Sequence, residues 1–261
     1  MVKGIVLAAG HGTRLKPLTE LRPKALCPVG NRPLLDYAID RIRLDETQIA
    51  VNVHAHREQM EAHLAEHHPS VHVSVEPTEA LGTAGALGRL RDWIEGDPIV
   101  VTNADALTAP DLTELFDGWD GERIRLLVAF DEHDPDFDGI WRYAGACVMP
   151  WSAVRDLPDT PSHLHTERWQ PAREAGALEL IPTRWSFTDC GTPRHYLAAN
   201  LLVSGGESVI GDGAVVDGTV ESSVVWPDAR VEPDEHLHFA IRLTDGRTVQ
   251  AVDAEARDPR E

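Results

Sequence analysis

Gly4-Ile5-Val6-Leu7-Ala8-Ala9-Gly10-His11-Gly12-Thr13-Arg14 decides how the rest of the chain is read. Its first half is an apolar run, and Gly10 breaks it before any helical period can begin, so a strand empties into a glycine loop. Glycines permit positive φ and bring bare N–H groups close to an anion, while Arg14 and Lys24 add a guanidinium and an ammonium. Such a loop can hold phosphates. Pro17, Pro23 and Pro28 predict a stiff extended hook between them. A Walker loop is excluded because no Gly-Lys-Ser/Thr follows at the right gap, and a dinucleotide fingerprint because position 15 is Leu15.

Working outward, Asn31 is expected to cap a helix with Leu34, Leu35, Ala38, Ile39 and Ile42 on one face. Ile49, Val51 and Val53 read as a strand, and a helix carrying Met60 and Leu64 runs to about His67. A strand over 71–75, a helix over 83–94, a strand over 99–102, a helix opened by Pro110 and a strand over 125–129 follow. Continuous apolar strands separated by helices predict an α/β fold, a Rossmann-like doubly wound, mostly parallel sheet with ligands at the carboxyl ends of its strands. Beyond an acidic loop over 131–138 come a strand over 143–148, helical patterns around 151–156 and 164–175, and a strand over 179–181. Thr192 is then an N-cap, with Pro193 opening a helix to about Leu202.

Residues 1–204 are expected to form the catalytic domain and 205–252 a short β tail, with 253–261 frayed. In the tail, small and apolar residues recur at near six-residue intervals from Val209 to Val231, enough for one or two coils of a β-helix. Such coils need stacking partners, so the tail is expected to dock on the catalytic domain or on a second copy, a route to a homo-oligomer. A terminal hairpin is expected around Asp245-Gly246.

The chain has 261 residues, with 42% hydrophobic and 26% charged, which suits one sizeable core plus a small appendage. No run approaches the roughly 18 apolar residues of a membrane span, and the start shows no signal-peptide pattern, so a cytoplasmic location is expected. A net charge of −19 argues against nucleic acid and anionic membranes as partners. It also means that a polyanionic substrate must be met by a few local cations and a metal. Lys3, Lys16 and Lys24 are the only lysines. Cys27, Cys147 and Cys190 lack metal or disulfide spacing and read as buried reduced thiols. The histidine pairs 54/56, 63/67, 163/165 and 236/238 each lack a third ligand at zinc spacing and read as solvated or capping.

Asp105 and Asp189 each fall where a strand ends. A lone aspartate there is usually a helix cap, but an aspartate pair beside a phosphate loop is also a reasonable magnesium site, completed by phosphate oxygens and water.

The segment Gly10-His11-Gly12-Thr13-Arg14-Leu15-Lys16-Pro17-Leu18-Thr19 followed by Pro23-Lys24-Ala25-Leu26 resembles the opening motif of the sugar-1-phosphate nucleotidyltransferases. Asn103-Ala104-Asp105 is similar to that family's N-G-D motif, with alanine for the middle glycine, and the segment from Phe187 to Pro193 to its D-x-G-T-P motif. Leu81-Gly82-Thr83-Ala84-Gly85-Ala86-Leu87 is similar to its nucleotide-facing loop. The matches run in order from residue 4 to about 203.

The resemblance implies transfer of a nucleotidyl group from an NTP to a sugar 1-phosphate, with Mg2+ on Asp105 and Asp189 and with Arg14, Lys24, Asp105 and Asp189 as the catalytic set. The nucleotide would lie against Leu7, Ala8, Ala9, Gly10, Gly12, Thr13, Arg14, Lys24, Gly82 and Thr83, with Glu79 or Glu76 either facing the base or simply facing solvent. The sugar would lie against Asn103 and Gly145. Similarity to mannose-1-phosphate guanylyltransferases leans towards GTP, with UTP and dTTP open. The family's second substrate lysine, in a Glu-Lys-Pro segment, has no counterpart; Arg142 is the nearest replacement, or else it pairs with the acidic loop. A different phosphorylated alcohol as acceptor, or a non-catalytic NDP-sugar-binding subunit, are the alternatives.

Overall fold

Strand β1 (Lys3–Leu7) takes an interior place in a seven-stranded sheet because its side chains are apolar on both faces. In the computed structural model, which describes residues 1–251, Val6 shares a core with Leu35, Ile39 and Met60, while Ile5 shares another with Leu87, Leu90 and Ile94. The elements that build these layers are α1 (Leu34–Ile42), β2 (Ile49–Val53), α2 (Arg57–His67), β3 (His72–Val75) and α3 (Gly82–Arg89). They continue as β4 (Ile99–Asn103), β5 (Ile124–Phe130), β6 (Trp141–Met149), β7 (Leu178–Pro182) and α4 (Pro193–Val203). The sheet order is β7-β5-β6-β4-β1-β2-β3, and β6 alone runs against its neighbours.

The chain leaves β1 towards β2 and β3 and then returns to β4 on the other side. Parallel strands whose connections diverge leave a crevice at their carboxyl ends. Here the crevice lies where Leu7 is paired with Asn103.

Four local expectations are corrected. Asn31 is no helix cap: it has φ 63°, and its side-chain amide donates to the Ile210 carbonyl at 2.7 Å, so α1 starts after Pro33. The proline-rich hook is a succession of 3-10 turns, Thr13–Leu15, Leu18–Glu20 and Lys24–Leu26, because i→i+3 bonds close between the prolines. After Pro110 there is only the turn Thr113–Leu115, with the Asp111 carboxylate accepting the Thr113 N–H at 3.1 Å. The helix expected over 83–94 divides at Leu90 into α3 and a single helical turn, Arg91–Ile94, that is also α-helical.

The tail forms stacked parallel coils. Val209–Ile210 pairs with Val224–Val225, which pairs with Ala240–Arg242, while Val215–Val216 pairs with Arg230–Val231 and Thr219–Glu221 with His236–His238. An antiparallel strand, Thr248–Gln250, closes the last coil through the expected hairpin. The coils fold back on the same chain: Trp226, Val225 and Ile241 share one core with Leu15, Leu18, Tyr196 and Leu197. The Trp226 indole donates to the Tyr196 hydroxyl at 3.0 Å, and that hydroxyl donates to the Pro28 carbonyl. Residue 252 and the end expected to be frayed, 253–261, lie outside the described residues. Among the described residues no helix is long and apolar enough to cross a membrane.

Candidate active site

Two separate parts of the chain are brought together by a two-residue antiparallel ladder, in which Asp189 lies opposite Ala106 and Thr188 opposite Leu107. The Cys190 N–H also donates to the Asp105 carbonyl at 3.0 Å. Both carboxylates therefore face one point at the end of β4. Lys24, carried there by its 3-10 turn, places its ammonium 2.5 Å from Asp105 Oδ2 and 3.4 Å from Asp189 Oδ1. The Arg14 guanidinium lies 3.4 Å from Asp189 Oδ2, and that of Arg142 3.7 Å from the same oxygen.

The glycine loop closes over this group. Gly12 has φ +61°, and a Cβ there would meet Thr19 Cγ2 at 2.7 Å and Lys24 Cβ at 3.1 Å. The Thr19 hydroxyl donates to the Gly12 carbonyl at 2.9 Å and holds the turn. At Gly145, φ is +77° and a Cβ would press on that of Ala106 at 2.5 Å, so only glycine lets β6 approach the ladder that carries Asp189.

Burial by itself would push the Lys24 ammonium down, but Asp105 and Asp189 together outweigh it and hold its pKa above the usual lysine value. Lys24 is therefore a permanent buried cation. Arg14 by contrast is exposed, its side chain 67% accessible, and free to meet a ligand arriving from solvent. Two carboxylates among three cations form a hard, oxygen-only donor set, which suits magnesium shared with phosphate oxygens.

Cys190 lies beside Asp189, but burial first, and the Asp105 charge next, push its thiol up to about 12. Cys27 and Cys147 are likewise pushed up to about 12 by burial. All three stay protonated at pH 8, which leaves no thiolate nucleophile. Iodoacetamide at that pH is expected to leave the folded protein unlabelled and to label all three thiols in urea. Rapid modification of native Cys190 would contradict this.

A cleft of ≈ 210 Å³ opens beside the cations. It is smaller than the roughly 300–1,000 Å³ typical of clefts that enclose a whole small-molecule ligand. Leu7, Ala8, Ala9, Gly10 and Lys24 form one wall, Gly82 and Thr83 another, and Asn103 and Asp105 lie at the end of β4. Gly12, Thr13, Arg14, Arg142, Gly145 and Asp189 are not among its lining residues.

Neither glutamate proposed for the base edge lines the cleft. Glu79 is exposed, and its neighbour Ala80 is the lining residue. Glu76 is 1% exposed with both oxygens engaged, Oε1 accepting from the Asn52 amide and Oε2 from the Leu81 N–H, each at 2.7 Å. Asn52 Oδ1 in turn accepts the Ala8 N–H at 2.7 Å. This buried relay ties the start of the glycine loop to the N-terminus of α3. Its one sequence signal was a polar residue, Asn52, inside an apolar strand.

Arg142 meets the second of the two expectations for it, the acidic-loop pairing. It pairs with the acidic loop through Asp134 at 2.8 Å and Asp131 at 3.5 Å while its other nitrogen faces Asp189.

The sequence model of the family described as "Nucleotidyl transferase" matches residues 3–134. An N-acetylmuramate alpha-1-phosphate uridylyltransferase of Caulobacter vibrioides is 35% identical over 228 residues, covering 75% of this chain and 94% of that one. A mannose-1-phosphate guanylyltransferase of Arabidopsis thaliana is 24% identical, covering 93% and 80%. Among solved structures, a UDP-glucose pyrophosphorylase from Acinetobacter baumanii superposes with a TM-score of 0.60 at 17% identity, covering 77% of this chain and 93% of that one, a likeness of fold.

Proposed function

We propose that this chain, which belongs to the nucleotidyl transferase family, joins a nucleoside triphosphate and a sugar 1-phosphate into an NDP-sugar with release of pyrophosphate. The observation that carries the reading is the meeting of Lys24 with Asp105 and Asp189 beside the cleft at the end of β4. A phosphate oxygen of the sugar 1-phosphate attacks the α-phosphorus in line, the bond to the β-phosphate oxygen breaks, and pyrophosphate carries away the electron pair. Little covalent chemistry is asked of the protein, so positioning and charge do the catalysis.

Lys24 neutralises charge on the α-phosphate, the exposed Arg14 holds the departing pyrophosphate, and Arg142 supplies the acceptor-side cation that a lysine provides elsewhere in the family. Asp105 and Asp189 would hold Mg2+, which would neutralise charge on the phosphate oxygens. The Asn52–Glu76 relay keeps the N-terminus of α3 in place against the base and ribose.

The similar proteins divide between uridylyl and guanylyl transfer, and a matrix of UTP, GTP, dTTP and ATP against glucose, mannose and N-acetylmuramate 1-phosphates reads both specificities through pyrophosphate release. One pair is expected to exceed the others. Silence in every combination with magnesium present, alongside tight binding of an NDP-sugar, would overturn the catalytic reading.

A further inference from the structure

Helix α1, helix α2 and the residue that ends α2 bring together three side chains that the cleft does not use. Asp36 Oδ1 lies 2.7 Å from His63 Nε2 and 3.2 Å from His68 Nε2, and the three atoms all lie within 4.8 Å of one another. His68 is the informative member. Its Nδ1 faces Glu46 Oε1 at 2.8 Å while its Nε2 faces Asp36, so each ring nitrogen meets a carboxylate.

A neutral imidazole carries one N–H, and an ionised carboxylate only accepts. With the proton on Nδ1 and given to Glu46, the Nε2 lone pair points at a negatively charged oxygen already shared with His63. A cation between them resolves that contact. A carboxylate fixing the far nitrogen of an imidazole is also how metal-bound histidines are commonly oriented.

We infer that Asp36, His63 and His68 form a second metal site, for a Zn2+-class ion, with Glu46 orienting His68. Two imidazoles and a carboxylate suit zinc and disfavour magnesium and calcium. Bonds of about 2.0–2.2 Å in a tetrahedron put ligand atoms roughly 3.3–3.6 Å apart, so the ion is seated when the 2.7 Å contact opens and the three atoms, already within 4.8 Å of one another, settle to that spacing. Side-chain exposures of 13% for His63, 15% for Asp36 and 10% for His68 leave room for a water as fourth ligand.

The site clamps α2 to α1. The N-terminal end of α2 in turn holds the phosphate-loop segment, with His56 Nε2 2.8 Å from the Thr19 carbonyl and the Gln59 amide donating to the Leu21 carbonyl at 3.1 Å. The ion is therefore structural, acting at a distance from the reacting atoms.

The test titrates the untagged full-length protein with Co2+, follows the visible absorption of tetrahedral cobalt, and displaces it with Zn2+. One Co2+ per chain is expected, with Zn2+ at 100-fold over its Kd raising Tm by about 5 °C or more. His63→Gln, and Asp36→Asn where it folds, should abolish the spectrum, and Glu46→Gln should weaken binding by about 10–100-fold. Asp105→Asn, and His236→Ala combined with His238→Ala, should leave it intact. Absence of the tetrahedral spectrum, or a spectrum that survives His63→Gln, overturns the assignment and leaves the cluster as proton-bridged.

Discussion

Lys24→Met is expected to lower kcat/KM for NDP-sugar formation by roughly 10²–10³-fold, the cost of losing one preorganised charge at a transition state that gathers negative charge. The size of the effect follows from where the ammonium sits. Lys24 is 9% exposed and lies between two carboxylates, so its charge is fixed in place and held by its partners. Asp105 and Asp189 keep 34% and 19% of their side-chain surface open, so water can screen them once the lysine is gone. The fold should survive, which separates this loss from simple unfolding.

Lys24→Arg is expected to rescue little, because a planar fork does not occupy the buried space of a point charge. Steady-state kinetics alongside thermal unfolding checks both. Activity within a few-fold of the parent in Lys24→Met, with Tm unchanged, would remove Lys24 from the machinery.

The second large effect is on stability. Trp226→Ala is expected to cost about 3–5 kcal/mol, the usual range for emptying a fully buried aromatic site. In a chain of this size that lowers Tm by roughly 2–4 °C per kcal/mol, thus by about 10 °C. Trp226 is wholly buried, its ring covered by the Arg22 guanidinium 4.3 Å from the centroid, and its N–H ends in the Tyr196 hydroxyl. Tyr196 bonds to Pro28, just beyond the turn that carries Lys24, so tail, α4 and phosphate loop form one packed body.

The expected outcome is one cooperative transition, moved down as a whole. A separate early transition in calorimetry, with the main one unmoved, would show that the coils unfold without disturbing the sheet. Tyr196→Phe is the milder probe: it leaves the indole N–H without an acceptor, a cost of about 1–3 kcal/mol.

Much of the fold was legible because its signals are local. The continuous apolar strands, the glycine break after Ala9, and the Thr192-Pro193 helix start each arise within a few residues, and each has its element in the structure. The errors were local as well, where a partner distant in sequence overrode the nearest preference. Asn31 is drawn to the Ile210 carbonyl in the tail, and Glu76 is turned inward, its oxygens accepting from Asn52 and Leu81. For histidines, spacing along the chain was the wrong measure. Spacing pairs His63 with His67, four residues away, whereas the atoms that meet it are Asp36 on another helix and His68 just past its own.

By itself, then, the amino-acid order determined the α/β alternation, the cation-bearing loop, and which aspartates end strands, since all three depend on side-chain type and on periods of two or 3.6 residues. The tertiary structure decided which charges share one point in space: Lys24 between Asp105 and Asp189, Arg142 bridging the acidic loop and the site, and two histidines converging on Asp36. The reason is geometric. Sheet order and helix packing bring remote positions within a few ångströms, and an electrostatic site is defined by distances that chain spacing does not encode.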